Sequence, residues 1–137
     1  MRVSVGIDTI EIERVERTLA RYGDRFLHRV FSRDEIEYCM GRVRPGPSLA
    51  VRLAAKEAFY KAATPLARRS LSLYFHWREA EVLRKDGAPT LRLSGTFREV
   101  VGGREVSISL SHSKAQAIAV VVISGEAGSA VACEGED

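Results

Sequence analysis

The sequence predicts a small α+β or α/β domain in which a mainly antiparallel sheet packs against one long helix. Three stretches carry that prediction. Residues 52–63, RLAAKEAFYKAA, read as a helix that is apolar nearly all round. Residues 3–8, VSVGID, alternate Val3, Val5 and Ile7 as a strand does. Towards the C-terminus VSISLSH alternates again, and a bend at His112-Ser113-Lys114 leads into a last strand, AIAVVVIS.

The 137 residues, 45% of them hydrophobic, suit one domain with an ordinary core, assigned to residues 1–124. The remainder, 125–137, is a small acidic tail expected to be disordered. The longest apolar run, Ala115 to Ile123, is broken by Gln116 and falls far short of the roughly 20 residues a membrane helix needs. MRVSVGID does not resemble a signal peptide, so the expectation is a soluble cytoplasmic protein with no membrane partner.

Taken in order, the first strand is expected to end at Asp8. There the carboxylate either serves a site or, with Thr9, caps the helix that follows. That helix runs from about Glu11 to Tyr22 and stops at Gly23; Ile12, Val15 and Leu19 form its apolar stripe. Arg14, Arg17 and Arg21, continued by Arg25 and Arg29, form a basic row, either a solvated face or a docking surface. Ser32-Arg33-Asp34-Glu35 matches a capping box and starts a helix reaching Met40. GRVRPGP, 41–47, reads as a loop from which Arg42 and Arg44 could meet anions, and the long helix begins at about Ser48. Thr64-Pro65 closes it, because a residue before proline is pushed out of the helical region. Residues 66–75 show no clear period. A hairpin follows from Glu79 to Leu93 with its turn at Lys85-Asp86-Gly87-Ala88, then a short helix over Thr96–Val101.

In the long helix, Ala54, Ala55, Ala58 and Ala62 make a band of small side chains that lets a sheet come close. Arg52 and Lys56 share one side; Glu57 and Lys61, four apart, share another. Ions on a helix expected to be buried need partners. The plain alternative is a surface Glu57–Lys61 pair worth about 0.2–0.5 kcal/mol. Cys39 and Cys133 give no zinc or disulfide spacing, and the three histidines are scattered, so any metal should be a hard cation on carboxylates. Four of the 18 acidic residues and none of the 21 basic ones lie in 124–137, so residues 1–123 carry a net charge of +7. An anionic partner follows; a nucleic acid is disfavoured, since no recognised motif or aromatic stacking pattern accompanies the charge.

GIDTIEIER, RVFSRDEIEY, RLAAKEAFYKA and VSISLSHSKAQAIAVVV, in this order across residues 3–123, resemble the holo-acyl-carrier-protein synthase family of 4′-phosphopantetheinyl transferases. The resemblance implies that family's small α+β fold, with a mainly antiparallel sheet packed on the long central helix. It implies transfer of the phosphopantetheine arm of coenzyme A to a serine of an acidic acyl carrier protein, with adenosine 3′,5′-bisphosphate released. It implies magnesium held by Asp8 and Glu57, with Lys61 as the third catalytic residue, steadying phosphate charge or assisting proton transfer. Two carboxylates about 4 Å apart would repel by about 4 kcal/mol at an effective dielectric of 20, and a divalent cation with phosphate oxygens removes that penalty. Arg52, Lys56, Ser111 and His112 are implied as coenzyme contacts, Arg14, Arg17, Arg21 and Arg25 as the carrier-docking row, and a homotrimer with coenzyme sites between subunits as the assembly. Ser111 and His112 would point to opposite faces of a strand, which argues against a serine-hydrolase pair. The general base stays open among Asp34, Glu35 and a water on the metal.

The chain departs from the family pattern in lacking glycine in the turn at Thr64-Pro65-Leu66 and near Val51, and in carrying Thr9 where a larger aliphatic residue is usual. That turn supports a second reading, a non-catalytic module that binds coenzyme A or carrier protein on the same fold. Either way, carrier binding through the arginine row is expected to weaken steeply as salt is added, which a titration at several ionic strengths would check.

Overall fold

The computed structural model describes residues 2–126, so most of the expected acidic tail lies outside the described residues. Strand β1 (Val3–Glu11) leads into helices α1 (Ile12–Tyr22), α2 (Asp24–Val30) and α3 (Arg33–Met40), then the long helix α4 (Pro45–Ala63). The hairpin β2 (Ala80–Lys85) and β3 (Ala88–Leu93), helix α5 (Gly95–Val101), and strands β4 (Glu105–His112) and β5 (Gln116–Ser124) complete the order. The main sheet runs β1-β5-β4, antiparallel throughout, with the last strand central; β2 and β3 form a separate two-stranded sheet. This is the α+β arrangement expected. No described helix is long and apolar enough to cross a membrane.

Helix α4 lies across one face of the main sheet. Its alanine band, Ala54, Ala55, Ala58 and Ala62, is fully buried, and β5 answers with Ala117 and Ala119, also fully buried. At Gly6 the approach is closest: a Cβ there would collide with the carbonyl oxygen of Ala58. The Ser4 hydroxyl donates to Ala62 O at 2.6 Å, satisfying a carbonyl that the helix end leaves free. Phe59 packs on Phe97 at 5.0 Å between ring centroids, closing the opposite side of α4 against α5.

Several boundaries differ from expectation. β1 does not end at Asp8: the ladder to β5 continues through Thr9↔Ile118, Ile10↔Ala117 and Glu11↔Gln116, because Ile10 keeps the alternation and is buried. Asp8 is therefore mid-strand, and neither it nor Thr9 caps α1, whose N-cap is Glu11 without a side-chain bond. α4 starts at Pro45, three residues early, since prolines in a first turn lack only N–H groups that would be unpaired there anyway. Thr64 stays right-handed (φ −52°, ψ −45°) despite the proline after it, and the chain adds one 3₁₀ turn, Thr64–Leu66. The Thr64 hydroxyl, donating to Tyr60 O at 2.6 Å, helps hold that geometry. The capping box at Ser32 is complete, and the hairpin turns through Asp86 and Gly87 with φ of 54° and 82°, as a two-residue primed turn requires.

A buried ion pair ties α3, α4 and β2 together. The Lys56 ammonium, with no exposure, donates to Glu35 Oε1 at 2.9 Å, Ala80 O at 2.7 Å and Trp77 O at 3.2 Å. Glu35 also accepts from the backbone N–H of Ser32 and, at 2.8 Å, of Val82. Burial pushes the Lys56 pKa down and the Glu35 carboxylate opposes that shift. Because removing one partner strands the other charge in the core, Lys56→Met is expected to lose about 3–5 kcal/mol of stability in urea unfolding, whereas an unchanged midpoint would mean that the pair does not hold these elements together.

Candidate active site

The close seating of β1 on α4 places the chemistry. With Ser4 bonded at Ala62 and Gly6 against Ala58, Asp8 lies one further step toward the N-terminus of α4. Helical side chains lean the same way, so Glu57 and Lys61 reach toward it. The Lys61 ammonium donates to Asp8 Oδ1 at 2.9 Å and to the backbone oxygen of Ile7 at 3.0 Å. An ammonium has three donors, so one is left to point outward from a side chain that is 53% exposed. The pair is thus Lys61–Asp8, not the Lys61–Glu57 pair that the i, i+4 spacing offered.

Glu57 accepts no hydrogen bond and makes no ion pair among the described residues. Burial pushes its pKa up and the nearby Asp8 carboxylate pushes it further, while Lys61 and Arg14 act in the opposite direction. Asp8 and Glu57 line one recess of about 340 Å³. Arg14 and Thr18 of α1 sit on its wall, and Phe26, Leu53 and Trp77 supply apolar surface. The arrangement is an anionic pair with a cation on either side, open to solvent and backed by a dry wall. Such a site suits a ligand that brings both a cation and negative oxygens. No three His, Cys, Asp or Glu side chains converge among the described residues, so a metal here would take one or two carboxylates and draw its other ligands from substrate and water, as magnesium does.

The other expected residues are placed as follows. Lys56 cannot contact a phosphate, since its three hydrogens are all committed inside the core. Sequence position alone could not separate it from Lys61, five residues on. Arg52 lies on the Lys56 side of α4, 5% exposed, donating to Ser48 O and resting 4.6 Å from the Tyr38 ring centroid, away from the recess. Glu35, one candidate base, is buried beneath Lys56, and Asp34 is exposed on α3, outside the recess lining. Ser111 and His112 end β4, paired with Ile118 and Ala117, on opposite faces as expected. Two strands across and two residues along from Asp8, His112 is about 12 Å from it within one chain. Arg14, Arg17, Arg21 and Arg25 are all exposed; Arg17 makes a surface pair with Glu13 at 3.5 Å, and Arg42 and Arg44 lie elsewhere, Arg44 held by Glu16 at 2.7 Å.

Some of the recess was not foreseen. Thr18 sits four residues from Arg14, and Leu53 four from Glu57, so helical spacing could have found them. Trp77 lies just beyond the segment without a period, in a one-turn 3₁₀ helix before β2, and no local signal announces it. In the turn after α4 no residue has positive φ, so its backbone path does not require glycine.

Residues 4–121 match the model of the 4′-phosphopantetheinyl transferase superfamily. The chain is 43% identical to the holo-[acyl-carrier-protein] synthase of Chloroherpeton thalassium over 88% of its own length and 97% of that protein. It is likewise 43% identical to the enzyme of that name from Thermus thermophilus, over 93% and 97%. Among solved structures it is similar to the ACPS-CoA complex of Chronobacterium ammoniagenes (TM-score 0.76, 30% identity, 90% of this chain and 97% of that one). It also resembles the Bacillus anthracis holo-(acyl-carrier-protein) synthase in complex with CoA (3′,5′-ADP) (TM-score 0.68, 32% identity, 88% and 94%). With the family model spanning nearly the whole described chain, the protein belongs to the 4′-phosphopantetheinyl transferase superfamily.

Proposed function

We propose that this protein transfers the 4′-phosphopantetheine group of coenzyme A to a serine of an apo-acyl carrier protein. The observation that carries the reading is the unpartnered, proton-hungry Glu57 beside the Asp8–Lys61 pair, in a chain 43% identical to holo-[acyl-carrier-protein] synthases. In the reaction the serine Oγ forms a bond to the phosphorus that bears pantetheine and the bond to the bridging oxygen breaks. Adenosine 3′,5′-bisphosphate leaves with that electron pair, and the proton of the serine passes through water to the leaving phosphate or to solvent.

Asp8 and Glu57 fit a magnesium ion: two carboxylate groups, one with no partner of its own, and no third His, Cys, Asp or Glu gathered with them among the described residues. Bound there, the ion would neutralise pyrophosphate charge as the phosphoryl group moves. Lys61, fixed by Asp8 and Ile7 O, holds its remaining hydrogen toward the developing charge on the leaving phosphate. Arg14 offsets negative charge at the rim, and Phe26, Leu53 and Trp77 limit water at the back. Arg14, Arg21 and Arg25 form the docking row for an acidic carrier, with Arg17 only loosely tied to Glu13 and available to join them.

A homotrimer accounts for two further features. The sheet face opposite α4 exposes Val3, Val5 and Ile7, each more than half exposed, next to Val120 and Val122 of β5. An apolar row of that size invites cover by like chains. Sites between subunits would also let Ser111 and His112 of one chain serve the recess of another. The setting is the cytoplasm, where coenzyme A and carrier proteins meet. The non-catalytic reading rested on the glycine-free turn, whose backbone makes no demand for glycine.

Incubation of apo-carrier protein with coenzyme A and magnesium is expected to add the phosphopantetheine mass; no addition to any carrier tested, with coenzyme A bound tightly, would restore the non-catalytic reading. Asp8→Asn and Glu57→Gln are each expected to lower transfer by at least about 10²–10³-fold while the domain stays folded, and full activity in either would remove its metal role. Stability gives an independent check. Because the Glu57 pKa is raised in the fold, its ionisation costs stability, a cost absent below the ordinary carboxylate range and fully present once pH has risen through the raised value. Without metal at neutral pH, Glu57→Gln should therefore unfold at higher urea than wild type, the difference vanishing in acid, and added magnesium should stabilise only the wild type.

A further inference from the structure

A second groove lies beside the recess, and nothing in the transfer chemistry accounts for it. Tyr74 and Phe75, in the segment before β2, are 54% and 77% exposed, unusual for side chains of that size. They are packed edge to face with ring centroids 4.7 Å apart and planes at 86°. The guanidinium of Arg29, from α2, stacks 4.5 Å from the Tyr74 centroid and so joins the segment to the helix. Between them is a groove of about 540 Å³ whose lining includes Arg25, Arg29 and Arg78 and no Asp or Glu. Thr18 and Phe26 line both this groove and the Asp8–Glu57 recess, so the two adjoin.

We propose that Tyr74 and Phe75, with Arg29 and Arg78, are a second anchor for the carrier protein, taking an apolar side chain flanked by carboxylates from one of its acidic helices. The inference rests on the reading of the partner as an acidic carrier, and extends its contact beyond the arginine row of α1. Three features select this occupant. An aromatic pair with this exposure offers the dry centre of an interface, and three guanidiniums around it offer a rim for carboxylates. Because Thr18 and Phe26 border both, a partner seated in the groove lies alongside the recess where its serine must react. The charge disfavours a second copy of this chain, whose body is itself basic. Phe75 contributes almost nothing to the core, so its exposure is not the price of folding.

The test uses the whole protein with coenzyme A, magnesium and apo-carrier, and compares wild type with Phe75→Ser and Arg78→Glu. Each substitution is expected to raise the KM for carrier, and the Kd for carrier measured without coenzyme A, by about tenfold or more. The KM for coenzyme A and the unfolding midpoint should stay at the wild-type values. Arg78→Glu should also flatten the salt dependence of carrier binding, which Phe75→Ser should not. If both variants bind carrier as wild type does, or if Phe75→Ser instead changes the oligomeric state in light scattering, the inference is overturned while the transferase reading stands. If wild type neither binds nor modifies any carrier, the transferase reading fails and takes the anchor with it.

Discussion

The approach of β1 to α4 at Gly6 is the constraint on which the rest depends. A strand can lie directly on a helix backbone only where neither presents bulk, and here glycine meets Ala58 while Ala117 and Ala119 clear the ground beside it. Once that contact is made, the geometry of the site follows from two regular structures. Two strand residues advance about 6.7 Å and four helix residues about 6 Å, so Ser4, Gly6 and Asp8 step down α4 one turn at a time. Asp8 then meets the two side chains that lean toward it.

The long helix separates two kinds of ion by what surrounds them. On one side Lys56 is enclosed by Glu35 and two carbonyls, and every donor and nearly every acceptor is used. Such a pair locks three elements in register and leaves nothing for a ligand. On the other side the account is left open. Lys61 has a hydrogen to spare, and Glu57 carries a charge that burial and Asp8 both oppose. An incomplete cluster of this kind is unfavourable for the empty fold and favourable for binding, because the ligand supplies what the protein withholds.

The same logic extends over the surface that leads to the recess. The face built from α1, α2 and the Tyr74–Phe75 segment is basic and partly apolar, and it borders the recess of the anionic pair at Thr18 and Phe26. The sheet face on the far side carries an exposed apolar row, Val3, Val5 and Ile7, bordered by the serines of β4 and with charge only at its ends, Glu11 and Glu105. One surface thus suits an acidic macromolecule and the other a like chain, and neither interferes with the other because α4 and the sheet stand between them.

Local sequence determined a good deal of this. Alternation marked β1 and β4, and an apolar run after the bend marked β5; the capping box marked α3; Asp86-Gly87 marked the hairpin turn; and the alanine band marked the helix face that would meet a sheet. Each depends on a period or on backbone geometry within a few residues, which is why it can be read in one dimension. The order of motifs also pointed to the family, and with it to Asp8, Glu57 and Lys61. What the chain could not reveal was which of two lysines five residues apart is enclosed and which is offered, since Lys56 and Lys61 differ only in what folds against them. Nor could it foresee that Lys61 would choose Asp8, fifty-three residues away, over Glu57 one turn back, or that Trp77 would border the site and Phe75 the groove beside it. Those outcomes were decided by tertiary packing, because the partner of a side chain is set by the element that docks beside it, not by its neighbours along the chain.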